Sequence, residues 1–156
     1  MGVRCSAFLA TSLDGFIARE DGGLDWLDRA NAQVPAGEDC GYAAFMATVD
    51  ALVMGRHTFE KVLSFPEWPY ADKPVWVLSR SLQGLPAGLP PSVRLLQATP
   101  VELVSMAAQQ GWQRLYVDGG QTTQAFLAAG CLTDLTVTVI PVLLGRGRRL
   151  FGDAGR

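Results

Sequence analysis

Nine consecutive residues, ALVMGRHTF (Ala51–Phe59), indicate the fold class of this chain. The four apolar residues before Gly55 form a continuous run, which is typical of a strand that is buried on both faces. Gly55 interrupts the run, and Phe59, Val62 and Leu63 then recur at helical spacing. A strand that passes through one glycine into a helix predicts the repeating unit of an α/β protein.

The same alternation of strands and helices continues on both sides of this unit. Apolar or alternating runs predict strands over Val3–Thr11, Pro74–Leu78, Val93–Leu96, Leu115–Val117 and Leu135–Leu144. Helical spacing and capping signals predict helices over Tyr42–Val49, Thr99–Gly111 and Gln121–Ala129. We therefore expect residues 1–156 to form a single three-layer α/β/α domain around a mostly parallel sheet.

Composition and charge narrow the functional classes. With 13 Lys and Arg against 15 Asp and Glu, the net charge of −2 offers no basic surface to nucleic acid. No apolar run reaches about 18 residues, the length of a membrane-spanning helix, and Met1–Cys5 lacks a signal-peptide pattern. We expect a cytoplasmic protein without a membrane partner. Cys5, Cys40 and Cys131 lack C-x-x-C spacing and His57 is the only histidine, so we expect neither a metal site nor a Ser/His/Asp triad.

Glycines and hydroxyl residues at one predicted strand end suit a phosphate ligand. Gly119 and Gly120 let backbone N–H groups approach a pyrophosphate, and the helix that follows adds its positive end and the hydroxyls of Thr122 and Thr123. The alternative is a plain tight turn.

Two further strand ends carry arginine. Gly55, Arg56 and Thr58 suit a phosphate clamp, although Thr58 alone is also a candidate helix cap. Leu78, Ser79 and Arg80 repeat the pattern, with an ordinary surface arginine as the alternative. Two arginines beside a pyrophosphate cradle favour NADPH over NADH, because NADPH carries an additional 2′-phosphate.

Together with two more segments, these motifs resemble the dihydrofolate-reductase-like superfamily. Within it, the chain is most similar to the reductase domain of the bacterial riboflavin-biosynthesis deaminase-reductase and its stand-alone relatives. The resemblance runs in order over nearly the whole chain, through Ala10–Ala18, Val53–Glu60, Val77–Arg80, Val117–Gly120 and Ile140–Gly145. It implies a mixed sheet whose last strands run antiparallel, NADPH as hydride donor, and a small heterocyclic or sugar-imine substrate, as in 5-amino-6-(5-phosphoribosylamino)uracil reductase.

The resemblance also implies roles for individual residues. Gly55, Arg56, Thr58, Leu78, Ser79 and Arg80 would hold the adenosine-side phosphates, Gly119, Gly120, Thr122 and Thr123 the pyrophosphate, and Ala10, Ile17 and Ala18 would border the nicotinamide. The loop Asp14–Trp26 would close over the cofactor and exclude water.

The proton donor and the substrate contacts are less specific in sequence. Asp14, Asp25 and Asp28 are candidate donors, although Asp14 precedes a glycine and is also a typical turn former. Trp26 and Trp68 suit either a substrate pocket or loop anchors. Arg146, Arg148 and Arg149 suit either a substrate phosphate or a solvated hairpin.

Three alternatives remain open. No acid aligns clearly with the one that contacts the pterin in folate reductases, so dihydrofolate is a weaker substrate. A nucleotide-binding module without turnover and a drug-sequestering protein are the others. Relatives usually continue beyond Arg146–Gly152 with another strand, so either the chain is short or a homodimer covers that edge.

Overall fold

The computed structural model describes residues 2–151. Along the chain it contains the following helices and strands: β1 (Arg4–Ser12), β2 (Phe16–Ala18), α1 (Asp25–Ala32), α2 (Tyr42–Ala47), β3 (Ala51–Gly55), α3 (Arg56–Leu63), β4 (Val75–Leu78), β5 (Val93–Leu96), α4 (Pro100–Gln109), β6 (Arg114–Asp118), α5 (Gly120–Ala128), β7 (Asp134–Ile140) and β8 (Arg148–Arg149).

The central sheet has six strands in the order β5-β4-β3-β6-β1-β7, and every pairing between neighbours is parallel. The predicted α/β class with a mostly parallel sheet is confirmed, but the expectation of a mixed sheet is wrong for the six described strands, because the last of them, β7, pairs with β1 in parallel. Within residues 2–151, antiparallel pairing occurs outside this sheet, in a two-stranded ladder of β2 with β8. The predicted strand Leu135–Leu144 is shorter than expected, because β7 ends at Ile140 before Pro141, which has no N–H to donate.

Strand β3 shows why helices cover both faces of the sheet. Its first four residues are fully buried, and alternate side chains point to opposite faces. Leu52 and Met54 pack in a cluster with residues of α2 and α3. Ala51 and Val53 pack in a second cluster with residues of α4 and α5. The chain therefore has the three layers that its sequence predicts.

The edges of the fold leave one expectation open. Within residues 2–151, β7 pairs with β1 on one side and has no partner strand on the other. Residues 152–156 lie outside the described range, so the expected additional strand or dimer at this edge stays a prediction. The longest described helix has ten residues, and none in this range is long and apolar enough to cross a membrane.

Candidate functional site

Three helices begin at the carboxyl edge of the sheet, and they begin differently. In α4, the Thr99 hydroxyl accepts the Glu102 N–H at 3.2 Å and the Glu102 carboxylate accepts the Thr99 N–H at 3.1 Å, which confirms the predicted capping box. Neither α3 nor α5 has a side-chain cap. Thr58 is the third residue of α3, so the alternative that it caps this helix is wrong. The first N–H groups of α3 and α5 are therefore available to an external acceptor.

The uncapped starts of α3 and α5 lie side by side. Strands β3 and β6 are neighbours, and Met54 pairs with Asp118, so Gly55 and Gly119 follow adjacent strand ends. A Cβ atom on Gly119 would collide with the Thr58 side chain, and one on Gly55 would lie 3.2 Å from the Thr122 hydroxyl. Gly119 also has a φ of +95°, a conformation that favours glycine. Both glycines therefore keep open the close approach of the two helices.

A cleft of about 830 Å³ opens beside these helix starts. Six of the residues predicted to bind cofactor line it, namely Gly55, Arg56, Leu78, Ser79, Arg80 and Thr122. Sequence reasoning did not include Ser81 or Glu102 among the binding residues, although both line the cleft, and it interpreted His57, which also lines it, as a surface residue. Their position depends on how α3, α4 and the turn after β4 approach one another, for which the local sequence carries no signal.

The polar side chains of the cleft differ in the hydrogen bonds and ion pairs that they form with the rest of the chain. Arg56 donates from Nε to Glu60 at 2.6 Å and from a terminal nitrogen to Ser81 at 2.6 Å. This guanidinium holds the pKa of Glu60 below its usual range. Ser79 accepts two backbone N–H groups of the following turn. Arg80 is exposed and forms no ion pair within residues 2–151, so its guanidinium is available to an anion.

The remaining predicted cofactor residues lie outside this cleft, around the second glycine of the Gly-Gly pair. A Cβ atom on Gly120 would collide with the Ile17 side chain, so Ile17 reaches the start of α5. Ala18 pairs with Arg148 in the small ladder. Thr123 is buried and donates its hydroxyl to Gly119 O at 2.7 Å, so this hydroxyl bonds within its own helix.

A gap between two central strands lies next to these residues. The pairing of β1 with β6 ends at Ser6 and Tyr116, although β1 continues to Ser12 and β6 to Asp118. Ala10 belongs to the unpaired side of this gap, because beyond Ser6 β1 pairs with β7 alone. Crevices at the carboxyl ends of diverging strands are the usual ligand sites of such sheets.

The carboxylate of Asp14 is heavily hydrogen-bonded. It accepts the Ser12 hydroxyl at 2.6 Å, the Gly145 N–H at 2.8 Å and the Leu144 N–H at 3.2 Å. The Ser12 hydrogen bond and these N–H groups lower the pKa of Asp14 to about 2. Asp14 therefore ties the first loop to the loop after β7 as a carboxylate, which favours the turn-forming alternative over proton donation.

The two other candidate acids, Asp25 and Asp28, differ in their contacts. Asp25 forms a two-point ion pair with Arg19, at 2.6 and 3.0 Å, and this pair lowers its pKa. Asp28 is exposed on α1. Trp26 and Trp68 are largely buried, and each has an indole N–H without a hydrogen-bond partner in residues 2–151.

The predicted basic cluster belongs to the β2–β8 ladder. The Arg148 guanidinium lies beside Gly22, with a nitrogen 3.4 Å from the place where a Cβ atom would stand. The Arg149 guanidinium lies over the Phe16 ring, 5.1 Å from its centroid. Both arginines thus pack on the first loop, which favours the interpretation as a hairpin over that as a substrate-phosphate site. Arg146 is exposed.

Asp118 is the candidate residue that sequence reasoning missed. It ends β6 directly before Gly119, and burial raises its pKa to about 6. The Tyr70 hydroxyl donates to its Oδ2 over 3.5 Å. The available signal was a single acid that ends an apolar strand and precedes two glycines. Among residues 2–151, no three His, Cys, Asp or Glu side chains converge as a metal site.

Comparisons with known proteins agree with this architecture. The family model of the RibD C-terminal domain matches residues 5–156. The uncharacterized Bacillus subtilis protein YwjB is 34% identical over 154 residues, which cover 94% of this chain and 81% of YwjB. A Shewanella crystal structure, whose name assigns it provisionally to riboflavin biosynthesis, is 42% identical with a TM-score of 0.87, covering 97% of this chain and 84% of that one.

A more distant structure shares the fold. The Thermotoga maritima diaminohydroxyphosphoribosylaminopyrimidine deaminase and 5-amino-6-(5-phosphoribosylamino)uracil reductase is 13% identical with a TM-score of 0.71. The match covers 99% of this chain and 49% of that protein. The family model and the more similar relatives together establish that this chain belongs to the RibD C-terminal domain family, with its reductase-like α/β fold.

Proposed function

We propose that this chain is an NADPH-dependent reductase of a small heterocyclic or imine substrate. The observation that carries the proposal is the pair of adjacent, uncapped helix starts of α3 and α5 beside a cleft that contains Arg56 and Arg80. Two helix N-termini and two guanidinium groups would offer separate contacts to the anionic groups of a phosphorylated dinucleotide.

The residues present fit this cofactor. Gly55 and Gly119 leave backbone N–H groups accessible where a Cβ atom would obstruct the approach, so the pyrophosphate would lie across them. Arg80, and Arg56 after exchange of its Glu60 contact, would hold the 2′-phosphate in the cleft. The nicotinamide would then extend past Gly120 and Ile17 towards the gap between β1 and β6.

NADPH, when bound, supplies the hydride, so the protein contributes position, exclusion of water and a proton. The first loop is held in place by Asp14 and by the β2–β8 ladder. A proton must reach the nitrogen or oxygen of the reduced bond. We propose Asp118 as the donor, because it ends β6 directly before Gly119 and because a carboxyl group with a pKa of about 6 is partly protonated near neutral pH.

Cofactor titration of arginine variants tests this proposal. We expect Arg56→Ala and Arg80→Ala each to weaken NADPH binding by about 1.5–3 kcal/mol, the value of a hydrogen bond to a charged group, and to weaken NADH much less. Arg94→Ala is the matched control, because Arg94 is an exposed arginine on β5 that does not line the cleft. Equal losses for both cofactors would reject the 2′-phosphate assignment.

An NADPH-oxidation assay with pterins, aminopyrimidines and quinones then tests turnover. Consumption of NADPH with one of these substrates supports the reductase. Saturable binding of NADPH without consumption in the whole panel would instead favour a nucleotide-binding module.

We also propose a homodimer through the unpaired edge of β7. Leu13, Val139 and Leu143 are 62%, 54% and 72% exposed near this edge, so a second copy that pairs there would bury them. A monomeric mass in light scattering at micromolar concentration would reject this assembly.

A further inference from the structure

Within residues 2–151, the guanidinium of Arg56 bonds to one partner inside the cofactor cleft and to one outside it. A terminal nitrogen donates to the Ser81 hydroxyl at 2.6 Å, and Ser81 lines the cleft. Nε donates to the Glu60 carboxylate, also at 2.6 Å, and Glu60 does not belong to the cleft lining. Arg56 therefore lies between a neutral partner in the cleft and an anionic partner on the outer side of α3.

The stability of α3 does not account for this ion pair. Arg56 is the first residue of the helix, and Glu60 follows one turn later. The positive end of the helix macrodipole disfavours a cation at this position, and a pair in which the acid precedes the base is the more stabilising order. An anionic ligand therefore explains an arginine at the start of α3 better than the helix itself does.

The Arg56–Glu60 contact is easier to break than the ion pair of the first loop. Arg19 donates to Asp25 through two N–H groups, at 2.6 and 3.0 Å, whereas Arg56 donates to Glu60 through Nε alone. The Arg56 and Glu60 side chains are 45% and 49% exposed, so neither leaves a buried environment when they separate. Because exposed pairs of this kind contribute little free energy, an incoming phosphate can replace the Glu60 carboxylate at Arg56.

The charge of Glu60 acts on one side of the cleft. Arg56 first, and His57 after it, hold the pKa of Glu60 below its usual range, so this side chain is a carboxylate at neutral pH. Both Arg56 and His57 line the cleft. Arg80, in contrast, forms no ion pair within residues 2–151. Glu60 therefore offsets the positive charge of Arg56 and leaves that of Arg80 in place.

We propose that Glu60 is a specificity-determining residue, because its carboxylate competes with the 2′-phosphate of NADPH for Arg56. This inference rests on the proposed reductase function and adds one residue to its cofactor site. NADPH has to displace Glu60 from Arg56, whereas NADH has no 2′-phosphate and leaves the contact intact. Glu60 thus lowers the preference for NADPH that Arg56 and Arg80 create.

The alternative role of Glu60 is that of an anchor that holds Arg56 in place, and one substitution separates the two roles. Glutamine keeps a carbonyl oxygen that accepts the Nε N–H, so Glu60→Gln preserves the hydrogen bond and removes only the negative charge. Competition predicts tighter NADPH binding in this variant, and anchoring alone predicts unchanged or weaker binding. Glu67→Gln is the matched control, because it removes an exposed carboxylate outside the cleft.

Fluorescence titration with NADPH and NADH tests the proposal. We expect Glu60→Gln to lower the NADPH dissociation constant by about three- to fivefold, the upper range for one exposed charge pair, and to change that of NADH by less than about 1.5-fold. Glu67→Gln should leave both constants within about 1.5-fold of wild type. The difference between Glu60→Gln and wild type should disappear near 1 M salt, where the Debye length falls to about 3 Å. It should also disappear in the Arg56→Ala background, where the group for which Glu60 competes is missing.

Weaker or unchanged NADPH binding in Glu60→Gln would overturn the inference. An equal gain for NADH, or a gain that persists in 1 M salt or in the Arg56→Ala background, would overturn it as well. The result for Arg56→Ala alone keeps the two proposals apart. If Arg56→Ala does not weaken NADPH binding, the proposed cofactor site is wrong. If it does and Glu60→Gln brings no gain, only the role of Glu60 is rejected.

Discussion

The cofactor cleft and the surroundings of Asp118 lie at the same edge of one sheet, yet they differ in electrostatic character. The cleft gathers Arg56, Arg80 and two uncapped helix N-termini, all of which attract anions. Asp118 ends β6 beside the Tyr70 hydroxyl, and burial raises the pKa of its carboxyl to about 6. Gly119 follows Asp118 directly and leads into α5. The comparison teaches that one strand-to-helix junction can place an anion-attracting helix start next to a buried carboxyl group.

The largest expected effect comes from removing the Asp118 carboxyl while the cleft stays intact. Asp118→Asn removes the proposed proton donor, so we expect kcat to fall by about 10²–10⁴-fold, the usual contribution of a general acid. The NADPH dissociation constant should change less than about twofold, because the variant leaves the arginines and helix starts in place. Steady-state kinetics and fluorescence titration measure the two quantities.

The pH profile supplies an independent check on this role. Wild-type kcat should decline as the pH rises above about 6, where Asp118 loses its proton. The residual activity of the variant should lack this decline. Retention of wild-type kcat in Asp118→Asn would remove Asp118 from the chemistry.

The next effect concerns the junction itself. Gly119→Ala forces a φ of +95° on a residue with a Cβ atom and drives that atom into Thr58. We expect a loss of about 2–4 kcal/mol in the free energy of unfolding, from backbone strain together with the collision. Gly130→Ala is the matched control, because Gly130 also has a positive φ, +70°, but open space around it. Urea unfolding in which both variants lose the same stability would contradict the close approach of α3 and α5.

The sequence predicts this junction better than it predicts the environment of Asp118, for a physical reason. Glycine, hydrophobic period and strand end are local signals, so Gly55, Gly119 and the six strands themselves follow from short segments, whereas the order of the strands does not. The environment of Asp118 depends on Tyr70, 48 residues away in the chain, and on the burial that folding creates. Asp14 shows the reverse case, because its loop position suggested chemistry and its contacts 130 and 131 residues away make it a structural tie.

A smaller effect on stability has the opposite sign, because Asp118→Asn should stabilise the folded protein near neutral pH, whereas Gly119→Ala destabilises it. Burial raises the pKa of Asp118 from its ordinary value to about 6, whereas the unfolded chain titrates near 3.9. Both states are protonated at low pH, but above pH 6 the folded protein must hold an ionised carboxylate that water solvates better in the unfolded chain. Wild type therefore loses stability relative to Asp118→Asn as the pH rises from 4 to above 6. We expect the variant to be more stable by about 1–3 kcal/mol at pH 7.5 and nearly equal at pH 4. Thermal unfolding with no pH-dependent difference would reject the raised pKa.

The smallest expected effect compares a capped helix with an uncapped one. Thr99→Ala removes the cap of α4 and should cost about 1 kcal/mol of stability in the free protein. Thr58→Ala lies inside the first turn of α3, where no cap is lost, so the free protein should change by less than about 0.5 kcal/mol. If the open N-termini exist to bind phosphate, Thr58→Ala should weaken NADPH although it leaves the free protein almost unchanged. Thermal unfolding with and without saturating NADPH measures both effects in one series. An equal stabilisation of wild type and Thr58→Ala by NADPH would mean that α3 is uncapped for a reason unrelated to the cofactor.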